Sequence, residues 1–209
     1  DLAGYLNQAR PGILARRPAP LQCSWAGYIA TSGAPWIDYL IGDTIAFPSG
    51  CDPDFSETLV RLDRFLLFCS YAHDPIKPAP ERHLAGLPKP GLVLAAMHNP
   101  YKIDPEIFAL WMRLLAALPD SVLWLVQINA TACDNLRKSA KVQGIDPNRL
   151  VFAPFTAHED HLVRLQLADL ALDTPQCNGV TTTADALTAG IPVLTCAGST
   201  PIQRMGASL

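Results

Sequence analysis

From residue 91 to residue 196 the chain alternates short apolar runs with segments whose apolar residues recur at helical spacing. The runs are GLVLAAM, SVLWLVQI, RLVFAPF, LALDT and IPVLTC. A run of this length with little polar interruption predicts a parallel strand covered on both faces. After the first run, Asp104 stands as a helix N-cap with Pro105 at the first helical position. Ile107, Leu110, Trp111, Leu114 and Leu115 then follow at helical steps. A second helix is predicted from about residue 132 to 142, closed by Gly144, a third over HEDHLVRLQLA, and a fourth after the turn CNG. Strands and helices in this order describe a doubly wound α/β sheet.

The first 90 residues are less regular. PLQCSWAGYIATSGAPWIDYLIGD gives two strand-like stretches around a small-residue loop at 30–35, and the stretch from Ser49 to Pro90 is rich in proline and aromatic residues. KPAPERHLAGLPKP has the composition of a linker. A division into residues 1–85 and 86–209 is therefore expected, and 209 residues suffice for two modest domains. The chain opens on DLAGY and closes on QRMGASL, which is expected of a piece cut at both ends from a longer protein.

Charge narrows the function classes. A net charge of -3 provides no broad basic field, so generic binding to nucleic acid or to a membrane surface is not expected and any anion site must be local. No apolar run reaches the ~20 residues of a membrane span, and the first residues do not read as a signal peptide. Cys23, Cys51, Cys69, Cys133, Cys177 and Cys196 form no C-x-x-C pair and have no His at metal spacing. That pattern predicts free, mostly buried thiols in a reducing, cytoplasmic setting, and no metal site.

In open α/β sheets ligands collect beyond the carboxyl ends of strands. Three loops at such ends carry polar groups here. HNPYKID holds His98, Asn99 and Lys102, FTAHEDHLVR holds His158, His161 and Arg164, and LDTPQCNGVTTTADALTAG holds Thr181, Thr182 and Asp185. Thr181 and Thr182 stand at a helix start, where unpaired N–H groups and the positive end of the dipole favour a phosphate. Gly179 allows close backbone approach, and Asp185 one turn on is suited to ribose hydroxyls. Taken alone, the residues fit a plainer reading better. Asn178 or Thr181 would then be an ordinary cap, Asp185 a first-turn acid, Lys102 a solvated lysine, and His158, His161 and Arg164 one face of a surface helix.

Five longer stretches add a resemblance. YKIDP, PDSVLWL, QLADLALDTPQCNGVTTTADALTAGIPVLT, RRPAPLQCSWAGY and TSGAPWIDY together resemble the catalytic region of the O-linked N-acetylglucosamine transferase family, which includes the SPINDLY-like proteins. The resemblance runs in the family's order over nearly the whole chain. It implies a glycosyltransferase of GT-B architecture with two Rossmann-like domains, here truncated at both ends. It also implies a uridine-diphosphate sugar donor, no metal or other cofactor, inversion at the anomeric carbon, and Ser or Thr hydroxyls of proteins as acceptors. Tetratricopeptide repeats upstream in the full-length protein are implied as well.

Carried over by position, the resemblance makes Lys102 the stabiliser of the diphosphate, Thr181 and Thr182 the phosphate-binding helix start, and Asp185 the ribose-binding acid. It places His161 and Arg164 beside the uracil, Cys177 near the sugar, Asp1 near sugar and acceptor, and Thr31 to Gly33 in a tight loop. Three positions depart from the family. Val180 stands where a histidine is usual, His158 where a lysine is usual and Asn99 where a glutamine is usual, and the family's upstream catalytic histidine falls before residue 1. Val180 leaves open a homologue that binds the nucleotide sugar with impaired catalysis. A related transferase with another donor sugar is a further alternative.

Overall fold

The computed structural model describes residues 1–25, 27–63 and 76–209. It divides into two compact units, Asp1–Cys69 with Ala197–Leu209, and Ser70–Cys196. The boundary expected near residue 85 thus lies earlier, and the C-terminal 13 residues belong with the first unit and not the second. The physical reason is a set of polar ties. Arg204 Nε donates to the Ile45 carbonyl at 2.6 Å, and the Ser208 hydroxyl donates to the buried Asp43 carboxylate, which also accepts the N–H groups of Ile45 and Ala46.

The first unit opens with a one-turn helix α1 (Pro11–Leu14) and carries a parallel sheet of three strands in the order β1 (Cys23–Trp25), β2 (Tyr39–Asp43), β3 (Thr58–Leu62). β3 is an element the sequence reading missed. Its residues alternate between exposed and half-buried, so TLVRL carries no continuous apolar run, and it follows a proline-rich stretch. The loop at 30–35 is held by one buried acid. Glu57 accepts the Thr31 hydroxyl at 2.8 Å, the Ser32 N–H at 2.7 Å and the Ser32 hydroxyl. A short helix, α6 (Met205–Ser208), closes the chain.

The second unit holds five parallel strands, β4 (Val93–Ala96), β5 (Val122–Val126), β6 (Leu150–Ala153), β7 (Leu170–Leu172) and β8 (Val193–Leu194). They lie in the order β6-β5-β4-β7-β8. Between them run α2 (Pro105–Ala117), α3 (Ala130–Val142), α4 (His158–Leu165) and α5 (Thr181–Thr188). Asp104 caps α2 by accepting the Ile107 N–H at 2.8 Å, as expected, and Asn129 caps α3 through Ala132 at 2.8 Å.

The apolar runs produce two cores, because successive strand side chains point to opposite faces. Leu94, Leu123 and Leu125 pack with Ile107, Phe108, Trp111 and Leu115 of α2 on one face. Val93, Ala95, Val122 and Trp124 pack with Leu165 of α4 and Ala186 of α5 on the other. Thiols follow this division poorly. Among the described cysteines, all free, only Cys133 is buried, Cys23, Cys51 and Cys177 are half-buried and Cys196 is exposed, since these four lie on an edge strand or in loops. Cys69 lies outside the described residues.

Trp124 is 1% exposed at the centre of the second core. Trp124→Ala is expected to destabilise the protein by about 3–5 kcal/mol, read from urea unfolding, because the vacated volume collapses only in part.

Candidate active site at the strand reversal

Chain direction across the sheet reverses between β4 and β7, since β4 continues to β5 on one side and β7 to β8 on the other. The loops beyond such a pair diverge and leave a crevice. Here the loop after β4 carries His98, Asn99 and Lys102, and the loop after β7 leads into α5.

Asp173, directly after β7, organises the second loop from within. Its Oδ1 accepts the N–H of Thr174 at 2.8 Å and of Gly179 at 2.7 Å, and its Oδ2 accepts the Thr195 hydroxyl at 2.6 Å. Asn178 is fully buried and donates to the Thr174 carbonyl at 3.0 Å. Gly179 is required by the protein's own packing. A Cβ there would lie 2.5 Å from the hydroxyl oxygens of Thr182 and Thr183 and 2.8 Å from His98 Cε1. Neither Asn178 nor Thr181 caps α5. Its N-cap is Val180, whose side chain makes no capping hydrogen bond, unlike the N-cap residues of α2 and α3.

Lys102 reaches across the reversal. Its Nζ donates to the Asn178 carbonyl at 2.9 Å, which sets an ammonium beside the loop that starts α5. His98 is buried between the strands, with Nε2 2.9 Å from the Leu172 carbonyl and Nδ1 3.2 Å from the Thr182 hydroxyl. Burial lowers its pKa below the ordinary imidazole value; Asp173 and the Leu172 carbonyl oppose the shift, and Lys102 adds to it.

Beside these groups opens a cavity of about 340 Å³, lined by Asn99, His158, His161, Arg164 and Thr182 together with Phe155 and other residues. Arg164 donates through Nε to His161 Nδ1 at 3.0 Å and through Nη1 to the Pro154 carbonyl at 2.5 Å. Burial lowers the His161 pKa, and the Arg164 charge lowers it further. Burial also lowers the Arg164 pKa, yet a guanidinium stays charged under all ordinary conditions. His158 Nε2 lies 2.9 Å from Oδ1 of Asp185, whose carboxylate is nearly sealed from solvent.

The structure therefore brings Asn99, Lys102, His158, His161, Arg164, Thr182 and Asp185 into one region of the second unit. Thr181 is exposed at the helix start. Cys177 does not line the cavity, and its carbonyl accepts the Thr174 hydroxyl at 2.8 Å. Asp1 belongs to the first unit, where its carboxylate accepts the N–H groups of Ala3 and Gly4, each at 3.0 Å. Asp173 and the role of His98 were missed from sequence. The one available signal was an acid closing an apolar run and a histidine opening the next loop.

A model of glycosyl transferase family 41 matches residues 1–74 and 77–209. The chain is 37% identical over 210 residues to the probable UDP-N-acetylglucosamine–peptide N-acetylglucosaminyltransferase SEC of Arabidopsis thaliana, covering 98% of this chain and 21% of that protein. It is 35% identical over 216 residues to the corresponding probable enzyme SPINDLY of Petunia hybrida, covering 100% of this chain and 22% of that one. The chain thus spans about a fifth of the length of these relatives. Among solved structures, a mutant O-GlcNAc transferase of Thermobaculum terrenum superposes with a TM-score of 0.84 at 33% identity, over 93% of this chain and 37% of that chain.

Burial depresses the folded-state pKa of both His98 and His161. Below the ordinary value of 6.5 the unfolded chain binds protons that the folded protein rejects, so stability is complete above that value and is lost as pH falls through it toward the folded values. Urea unfolding at about pH 7.5 and about pH 5.5 is expected to show this loss, and His98→Gln is expected to lose less over the same interval.

Proposed function

The chain belongs to glycosyl transferase family 41, and on that basis we propose that the protein of which it forms part transfers a sugar from a uridine-diphosphate donor to Ser or Thr hydroxyls of proteins. N-acetylglucosamine is the sugar that the names of the relatives favour. The observation that carries the proposal is the Lys102 ammonium held on the Asn178 carbonyl beside the start of α5, next to a cavity of about 340 Å³ lined by His158, His161 and Arg164.

The chemistry assigns a task to each group. As the acceptor oxygen bonds to the anomeric carbon, the bond from that carbon to the diphosphate oxygen breaks, the configuration inverts and negative charge grows on the leaving diphosphate, which takes up the proton that the acceptor hydroxyl gives up. An ammonium has three N–H donors, and one of those on Lys102 is engaged by Asn178. The others meet the diphosphate, with the helix start supplying backbone N–H groups and the positive end of its dipole. Donors fixed in advance stabilise this charge more in the transition state than in the bound substrate, which raises turnover without a metal ion. In this reading His161 and Arg164, joined by a hydrogen bond, recognise the base, and Asp185, paired with His158, meets the ribose. Cys177 and Asp1 are assigned to the sugar and acceptor by resemblance. Recruitment of the acceptor by upstream tetratricopeptide repeats, in a cytoplasmic setting, completes the proposal. Among the described residues no helix is long and apolar enough to cross a membrane.

Val180 favours a second reading. At the N-cap it offers no side-chain donor or acceptor to the diphosphate, which is the arrangement expected of a homologue that binds nucleotide sugars and turns them over slowly.

In the full-length protein Lys102→Ala is expected to lower turnover on the order of 10²-fold or more, measured as sugar transfer from labelled UDP-N-acetylglucosamine; unchanged turnover would remove Lys102 from catalysis. Asp185→Asn is expected instead to weaken UDP binding in calorimetry. Binding by the unaltered protein without transfer from any donor in a screen of nucleotide sugars would establish the second reading.

A further inference from the structure

The side chain of Thr182 faces two ways in this site. It lines the cavity, and its hydroxyl also lies 3.2 Å from Nδ1 of the buried His98. A hydroxyl has one proton to donate, so the state of His98 decides which way that proton points.

Three neighbours determine that state. The Leu172 carbonyl lies 2.9 Å from Nε2 and can only accept, so Nε2 carries a proton. Asp173 Oδ1 lies on the same side, 3.7 Å from Nε2, and its negative charge favours the proton there. Burial and the Lys102 ammonium oppose a second proton on the ring. The neutral ring then presents a bare lone pair at Nδ1, and the Thr182 hydroxyl must donate to it. Packing holds the ring in place, since the position a Gly179 Cβ would take is within 2.8 Å of His98 Cε1 and 2.5 Å of Thr182 Oγ1.

We infer that His98 is a positioning residue that binds the Thr182 hydroxyl proton, so that Thr182 fixes where α5 begins and leaves donation to the diphosphate to backbone N–H groups and Lys102. The assignment rests on the diphosphate reading of the site. It goes beyond that reading by separating the two threonines: Thr181 is exposed and is not tied to His98, whereas Thr182 turns its proton inward. It also ties the helix start to both strands of the reversal, because the same ring bonds the end of β7.

Two measurements on the full-length protein test this. Long-range proton–nitrogen NMR of the unaltered protein, with the His98 signals assigned by their loss in His98→Gln, is expected to show a protonated Nε2 and an unprotonated Nδ1 at neutral pH. A protonated Nδ1 would overturn the proposal. UDP affinity by calorimetry for His98→Gln, Thr182→Val and the double variant is expected to fall roughly 3- to 10-fold in each single variant and no further in the double, because both changes remove one hydrogen bond. His98→Asn, which returns an oxygen acceptor near the Nδ1 position, is expected to stay within about threefold of the unaltered protein. Multiplying losses in the double variant would mean that Thr182 donates to the diphosphate directly, and would overturn the proposal. If the unaltered protein fails to bind UDP, the diphosphate reading falls by itself, and the NMR result alone decides for or against the His98–Thr182 bond.

Discussion

The second unit depends on one feature of topology, the reversal of strand order between two neighbouring parallel strands, β4 and β7. Much of the chemistry in the unit lies beyond their carboxyl ends, and α4, which follows β6, adds His158, His161 and Arg164. Because β4 leads away to α2 and β7 leads away to α5, the two loops diverge, and the gap between them is walled by polar groups that neither loop could assemble alone. His98 and Lys102 come from one loop; Asp173, Asn178 and Thr182 come from the other. The bonds that join them, His98 to Leu172 and Thr182 and Lys102 to Asn178, all cross the reversal.

A second principle orders the site by charge. The carboxylate of Asp173 is turned inward, saturated by backbone N–H groups and a hydroxyl, where it shapes the loop and biases the His98 tautomer. The cationic and donor groups, Lys102, Arg164 and the start of α5, lie toward the crevice or the cavity beside it. Such a division suits an anionic leaving group, because donors held by the protein need not reorganise as charge develops. It gathers these cationic groups in a chain whose net charge is -3. The field is local, built from a lysine, an arginine and a helix end, with Asp173 buried and Asp185 paired with His158, while Glu159 and Asp160 stand exposed in the first turn of α4.

Family membership and architecture agree with this picture. The chain carries the parallel α/β sheets of a GT-B type transferase and superposes on an O-GlcNAc transferase of known structure over most of its length. The Val180 side chain makes no capping hydrogen bond at the start of α5, and His158 places an imidazole against the Asp185 carboxylate.

Much of this was legible in the residues. The five apolar runs from residue 91 onward mark five strands, most plainly β4 and β5, because a strand buried on both faces must be apolar throughout, and Asp104 before Pro105 marks a helix start by local hydrogen bonding alone. The loops holding Lys102, Arg164 and Thr182 could be picked out by their place after strands. Strand β3 could not, because a half-exposed strand has no continuous apolar run. Residues 197–209 join the first unit through Arg204 and Ser208, a long-range tie that composition does not register. The sequence by itself determined the order of strands and helices and the chemical types in each loop, since those follow from periodicity and capping. Only the tertiary structure decided that Asp173 turns inward, that Gly179 is demanded by His98 and two threonines, and that His98 meets Thr182, because each depends on strands far apart in the chain lying side by side.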